Sequence, residues 1–403
     1  MRISRNSHLC YCMNNFKPAE DFSGKSPFFT ISEKLARALE VLEQEQFAIG
    51  IWANEKNLAF LEKPDVFAEF ARIASEKNFY FFTMNIFPFG DFHGARVKEN
   101  VYLPDWRSDE RLDYSCRAAD FLSKIIPEDV TGSLSTVPGG YRNFISDPSD
   151  ISRIAVNLAK AALHLRKAYE RTGKKIVLAI EPEPDCIWED AADFADFFGR
   201  ELAANDDCRE YIGLCYDTSH HELSGLNPGE GIDLCLRNGV KIAKIQLSAA
   251  LGAPTPESKK SLANFADDVY LHQTREVKEN GVIVKYQDLP QALEQADHRR
   301  YWKIHYHIPL YLDSLPGGLS VEKNDLEAVL RKLAENPAIC SNIEIETYTF
   351  PVLPEEIRKL DIEKSMALEY QWVLDRLKNS EHPTLNVQLQ NKNASARNGY
   401  NND

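Results

Sequence analysis

The sequence predicts an α/β fold: a single (β/α)8 barrel of the TIM type, with an inserted hairpin or lid after the seventh strand and a disordered C-terminal tail. Three observations carry this. Apolar, β-branched runs alternate with amphipathic helical stretches along most of the 403 residues. Four of those runs end in acids or histidines: Ile176-Val-Leu-Ala-Ile-Glu181, Ile212-Gly-Leu-Cys-Tyr-Asp217 followed by His220, Trp302-Lys-Ile-His305-Tyr-His307, and Ile343-Glu344-Ile-Glu346. Finally, the long connection at 245–310 contains Asn280-Gly281 between two β-rich runs, the strongest short-range hairpin signal.

Candidate strands lie at 8–13, 47–52, 79–85, 131–137, 175–181, 212–217, 241–247, 302–308 and 343–348. Most are dense in Ile, Val, Leu and Phe with few polar breaks, as strands buried on both faces require. Nine candidates exceed a barrel's eight by one, and the surplus falls within 245–310. Between the strands, 32–44, 64–77, 109–125, 150–171, 189–203, 228–237, 323–335 and 355–376 repeat apolar residues at helical spacing. In 150–171, Asp150 is the expected N-cap and Gly173 the expected stop. The barrel domain is read as 1–377, with 245–301 as the inserted lid region. Residues 378–403 are polar and Asn-rich, the composition of a disordered tail.

Hydrophobic content of 43% and charged content of 27% suit a soluble globular chain. A net charge of −14 offers no basic footprint for phosphate backbones and argues against a nucleic-acid partner. Eight cysteines are scattered with no CxxC pair, which fits free thiols in a reducing compartment. There is neither a signal-peptide pattern at the N-terminus nor an apolar run of membrane-spanning length. The expected location is the cytoplasm, and the expected partner is a small-molecule metabolite.

The acids and histidines at strand ends carry the chemistry. Buried charge is costly unless something pairs with it, and at the open end of a parallel barrel a divalent metal is the simplest partner. Glu181, Asp217 and Glu346 end strands in this way. Gln246 ends Val240-Lys-Ile-Ala-Lys-Ile-Gln246, and its amide oxygen suits a hard divalent ion or an orienting hydrogen bond. His305 and His307 share a strand face, as ligands or as a structural pair. Expected metal ligands are therefore Glu181, Asp217, Gln246, His307 and Glu346, holding Mn²⁺, Mg²⁺ or Zn²⁺. Expected substrate contacts are His93, Glu183, His220, Lys244, His272 and His305.

Several segments resemble the EboE family of metabolite traffic proteins, within the xylose-isomerase-like barrel superfamily of sugar isomerases, epimerases and endonuclease IV. They are Phe-Pro-Phe-Gly-Asp-Phe-His93-Gly-Ala-Arg, Pro104-Asp-Trp-Arg107, Ser133-Leu-Ser-Thr-Val-Pro138, Glu181-Pro-Glu-Pro, Asp217-Thr-Ser-His220, Lys244-Ile-Gln-Leu-Ser248, Tyr270-Leu-His-Gln, His305-Tyr-His-Ile-Pro309 and Glu346-Thr-Tyr-Thr. The resemblance implies a TIM-type barrel and an operon-encoded role in making or moving a metabolite. It also implies that Glu181, Asp217 and Glu346 are metal-binding acids and that His220 contacts substrate or metal. Gln246 stands where many superfamily members carry histidine.

The expected activity is that of a metal-dependent sugar isomerase or epimerase acting on a small polyhydroxy or carbonyl metabolite, with Glu181 and Glu346 as the acid/base pair. A zinc-dependent phosphodiesterase of endonuclease IV type and a non-catalytic metabolite-binding or transport-coupled barrel are the alternatives.

Overall fold

The computed structural model describes residues 1–15, 46–90, 98–262, 271–349 and 355–378, together with positions 34, 37, 38, 265 and 353. The helix expected at 32–44 falls almost entirely outside these residues, as do residues 91–97 with His93, and 379–403 of the tail.

Eight parallel strands close a barrel. They are β1 (His8–Cys12), β2 (Phe47–Trp52), β3 (Phe79–Asn85), β4 (Gly132–Thr136), β5 (Ile176–Ile180), β6 (Ile212–Asp217), β7 (Ile242–Leu247) and β14 (Asn342–Ile345). β14 pairs with both β1 and β7, with Cys10 opposite Glu344 and Glu344 opposite Gln246. Nearly every strand residue is buried, because the barrel interior covers one face and the helices cover the other. The helix Pro148–Thr172 shows how the sequence sets the layers. Asp147, rather than Asp150, caps it: Asp147 accepts from the Ser149 backbone N–H while Asp150, at the third helical position, completes the capping box. Gly173 ends the helix at φ 69°. The segment 189–203 is an α-helix, Ala191–Phe197, continuing as a π turn, Phe198–Leu202. The last helical stretch is split into Glu355–Arg358 and Ile362–Lys378.

The surplus strand is the one expected at 302–308. Its ordered part, β11 (Tyr301–Ile304), is not a barrel strand. It lies in a second, six-stranded sheet with β8 (Ala250–Ala253), β9 (Thr274–Val277), β10 (Ile283–Tyr286), β12 (Ser314–Leu315) and β13 (Leu319–Glu322), in the order β10-β9-β11-β8-β13-β12. All its pairings are antiparallel. The expected hairpin is β9–β10, with Gly281 at φ 79° in its turn. The inserted sheet thus extends beyond 301, as far as Glu322.

Ion pairs tie this sheet to loops that follow three barrel strands. Lys98, beyond β3, meets Asp288 at 2.7 Å; Asp185, beyond β5, meets Arg275 at 2.9 Å; and Glu222, beyond β6, meets Lys303 at 2.6 Å. The C-terminal helix adds the buried Glu369 carboxylate, which accepts from the Tyr11 hydroxyl, the Thr347 hydroxyl and the Leu310 N–H. The sheet is thereby held over the C-terminal ends of the barrel strands.

Candidate metal centre

Three carboxylates stand at the ends of three barrel strands. Glu181 follows β5, Asp217 ends β6, and Glu346 follows β14. Each is buried, and each keeps one oxygen without a hydrogen-bond partner: Glu181 Oε2, Asp217 Oδ2 and Glu346 Oε2. Hydrogen bonds aim Asp217 and Glu346. Asp217 caps the turn Thr218–Glu222, its Oδ1 accepting from the Ser219 N–H (2.8 Å), the His220 N–H (3.1 Å) and Ser248 Oγ (2.7 Å). Glu346 Oε1 accepts from Asn85 Nδ2 at 2.8 Å and Asn14 Nδ2 at 3.1 Å. Buried oxygens left open after such careful anchoring ask for a cation.

Three imidazoles face the acids. His220 comes from the turn after β6, while His305 and His307 come from the chain leaving β11 of the inserted sheet. In each ring Nδ1 donates to an oxygen that can only accept: Pro182 O at 2.8 Å, Gln273 Oε1 at 2.7 Å and Glu346 O at 3.0 Å. In the neutral ring each Nε2 therefore carries a lone pair. His305 Nε2 and His307 Nε2 lie 3.0 Å apart. Two lone pairs at that distance repel, and a shared cation resolves the conflict. Potential ligand atoms of His220, His305 and His307 lie within 4.8 Å of one another, as do those of Glu181, Asp217 and His220, and those of Asp217, His307 and Glu346. Orphaned carboxylate oxygens beside converging imidazole lone pairs fit a divalent ion.

The electrostatics agree. Burial, reinforced by Asp217, raises the Glu181 carboxyl to about 8, with His220 opposing. Burial likewise raises Glu183 to about 7, and burial with repulsion from Glu181 and Asp217 raises Glu346. Asp217 is also penalised by burial, but His220, His307 and its hydrogen bonds hold it below the usual carboxylate range. His305 and His307 are pushed down by burial, His307 to about 4, which keeps both rings neutral and able to ligate. Burial lowers His220 too, yet Asp217, Glu183 and Glu181 lift it above its ordinary value.

Most of these groups line a half-open cavity of about 80 Å³. Glu181, Glu183, His220, His305, His307 and Glu346 form its polar side, and Trp52, Phe87, Tyr102 and Tyr348 its aromatic side. Glu183 accepts from the Tyr102 hydroxyl at 2.8 Å.

Other expected residues are placed elsewhere. Lys244 is not open to a substrate: it pairs with Glu344 at 2.6 Å, both side chains fully buried inside the barrel beneath the cavity. Gly50 makes this possible, since a Cβ there would overlap Glu344 Oε1. The Gln246 carbonyl oxygen accepts from the Cys215 thiol at 3.0 Å while its Nε2 has no partner, and the residue does not line the cavity. His272 stacks on Tyr306, ring centroids 4.1 Å apart, behind His305. His93 lies outside the described residues. Sequence reasoning missed Asn14, Asn85, Ser248, Tyr102 and Gln273. Asn85, an amide closing the apolar run Phe79–Asn85, carried the same signal that picked out Glu181.

No family model matches the chain, and no curated protein sequence matches it. Among solved structures, the fold is similar to a xylose isomerase-like TIM barrel protein from Mycobacterium smegmatis in complex with magnesium, at 12% identity and TM-score 0.54, over 94% of this chain and 98% of that one. An L-ribulose 3-epimerase matches at 12% identity and TM-score 0.48, over 98% and 100%. The IolI protein with a bound zinc atom matches at 15% and 0.48, over 93% and 99%. At 12% identity the likeness to the M. smegmatis barrel shows the fold alone. Among the described residues, no helix is long and apolar enough to cross a membrane.

Proposed function

We propose that this chain is a divalent-metal-dependent isomerase or epimerase acting on a small polyhydroxy or carbonyl metabolite. The observation that carries the proposal is the set of three buried carboxylates, each with one oxygen left open, at the ends of β5, β6 and β14. The similar M. smegmatis barrel is in complex with magnesium, which supports a divalent metal in general.

In this reading Glu181, Asp217 and Glu346 supply oxygen ligands, and His220, His305 and His307 supply nitrogens. Gln246, with its carbonyl engaged by Cys215, stands outside the set. A divalent ion held here supplies Lewis-acid polarisation of a substrate carbonyl. The chain's own groups do the rest. Glu181 and Glu346, on different strands, move a proton between adjacent carbons. Glu183, held by Tyr102, accepts a hydrogen bond from a substrate hydroxyl, with His93 as a further contact. The aromatic side of the cavity limits the approach of water to the exchanging proton. The role in metabolite synthesis or traffic implied by the EboE resemblance is the physiological setting we infer.

The test is proton exchange. Manganese-loaded protein is incubated in D₂O with a panel of ketoses, aldoses and inositol-type ketones. We expect deuterium to enter at the carbon beside the carbonyl, and Glu181→Gln and Glu346→Gln to abolish it. No metal binding, with no exchange on any panel member, refutes the proposal.

The cluster of three imidazoles favours a second reading, a zinc-dependent phosphodiesterase, because nitrogen-rich sites suit zinc. Hydrolysis of bis-(4-nitrophenyl) phosphate by zinc-loaded protein, lost with a chelator, would select it.

A further inference from the structure

Gln273 immediately precedes β9 in the inserted sheet and is fully buried. Its amide reaches three parts of the molecule. Nε2 donates to Pro184 O, on the loop after β5, and to the Tyr102 hydroxyl, on the turn Lys98–Tyr102 beyond β3, both at 3.2 Å. Oε1 accepts from His305 Nδ1 at 2.7 Å. Pro184 O can only accept, so the NH₂ group must face it, and the carbonyl oxygen must face His305. The Gln273 backbone carbonyl also accepts from the His305 N–H at 2.9 Å. One residue thus holds both the backbone and the ring of His305. Through Tyr102, whose hydroxyl donates onward to Glu183, it also reaches a carboxylate on the barrel side of the cavity.

We propose that Gln273 is the positioning residue of this site. It fixes the His305 tautomer with Nε2 toward the other imidazoles, and it docks the inserted sheet against the loops carrying Tyr102 and Glu183. The inference rests on the reading of the site as a metal centre. Its physical basis is that an imidazole presents a lone pair at Nε2 only while its proton stays at Nδ1, and a buried Nδ1–H requires an acceptor. Without the Gln273 carbonyl, the His305 ring is free to turn or to move its proton, and the cavity loses that lone pair. Because Gln273 belongs to the insert while Pro184 and Tyr102 belong to the barrel, seating of the insert and completion of the site become one event.

The test compares full-length wild type with Gln273→Leu, Gln273→Glu and His305→Ala. Zn²⁺ affinity is measured by chelator competition, and the tautomers of the histidine rings by ¹⁵N chemical shifts in the metal-free protein. Gln273→Leu should weaken Zn²⁺ binding about 10–100-fold, as loss of an outer-shell partner does, and should shift the His305 tautomer. Gln273→Glu retains an oxygen for Nδ1–H but offers Pro184 O and Tyr102 no NH₂, so it should keep the His305 tautomer and more of the affinity than Gln273→Leu does. A purely structural role would leave the tautomer unmoved and give no rescue by glutamate. The inference is overturned if Gln273→Leu binds Zn²⁺ like wild type while His305→Ala does not. If Gln273→Leu fails to fold, Gln273→Glu decides: a His305 proton found off Nδ1 in that variant overturns the inference. If His305→Ala itself leaves Zn²⁺ affinity unchanged, the metal role of the imidazoles falls, and the inference falls with it.

Discussion

Replacing Glu181 with glutamine isolates the electrostatic cost of building this site. Burial lifts the Glu181 carboxyl from 4.5 to about 8. At about 1.4 kcal/mol per unit, ionising it in the metal-free protein costs roughly 5 kcal/mol. Between pH 4.5 and 8 the folded chain keeps a proton on this group that the unfolded chain releases. The contribution of Glu181 is therefore neutral below that window, becomes destabilising as pH rises through it, and levels off above it. Glu181→Gln removes this titration. Urea unfolding of both proteins in chelator, from pH 5 to 8.5, should give a flatter profile for the variant. At pH 8 the metal-free variant should be the more stable protein by on the order of 3–5 kcal/mol, while at pH 5 the two should nearly coincide. Metal narrows the gap: Mn²⁺ at 100 times its Kd should stabilise wild type by about 2.7 kcal/mol, with a smaller effect on the variant. Parallel pH profiles for the two metal-free proteins would refute the reasoning, because they would show that Glu181 ionises without penalty.

Two further predictions concern the layers around the site. Lys244→Met leaves Glu344 charged and unpaired inside the barrel, so it should cost about 3–5 kcal/mol in denaturant unfolding, and Lys244→Met/Glu344→Met should regain most of it; a single variant as stable as wild type removes the pair from the account. His307→Ala should weaken Zn²⁺ or Mn²⁺ binding at least about tenfold, since even outer-shell losses reach that size; isothermal titration showing unchanged affinity takes His307 out of the ligand set.

Much of the barrel was legible because its strands are buried on both faces and so read as continuous apolar runs. The error at 302–308 has a physical reason. Trp302 and Ile304 are fully buried in the second sheet, so their composition matches that of a barrel strand, and composition does not distinguish a parallel neighbour from an antiparallel one. Glu181, Asp217 and Glu346 were legible because a charge at the end of an apolar run stands out. Lys244 was legible as an inward-facing residue but not at its true depth. Period-2 alternation tells the face of a strand, whereas only the register against β14 reveals that Glu344 lies close enough to neutralise the lysine. Gln273, Asn14 and Asn85 were missed because a neutral amide costs little to bury once bonded, and so leaves no conspicuous charge in the pattern. The Asp147 cap was displaced by three residues because Asp147 and Asp150 both belong to the capping box.

The most direct test of the central claim is the metal content of the native full-length chain, purified without chelator or metal-affinity resin and measured by elemental analysis. The account predicts at least one tightly held divalent ion per chain, manganese, magnesium or zinc, lost in Glu181→Gln and Glu346→Gln variants that remain folded. A folded wild-type protein that carries no stoichiometric divalent ion, and takes none up when manganese, magnesium and zinc are each supplied, would contradict it.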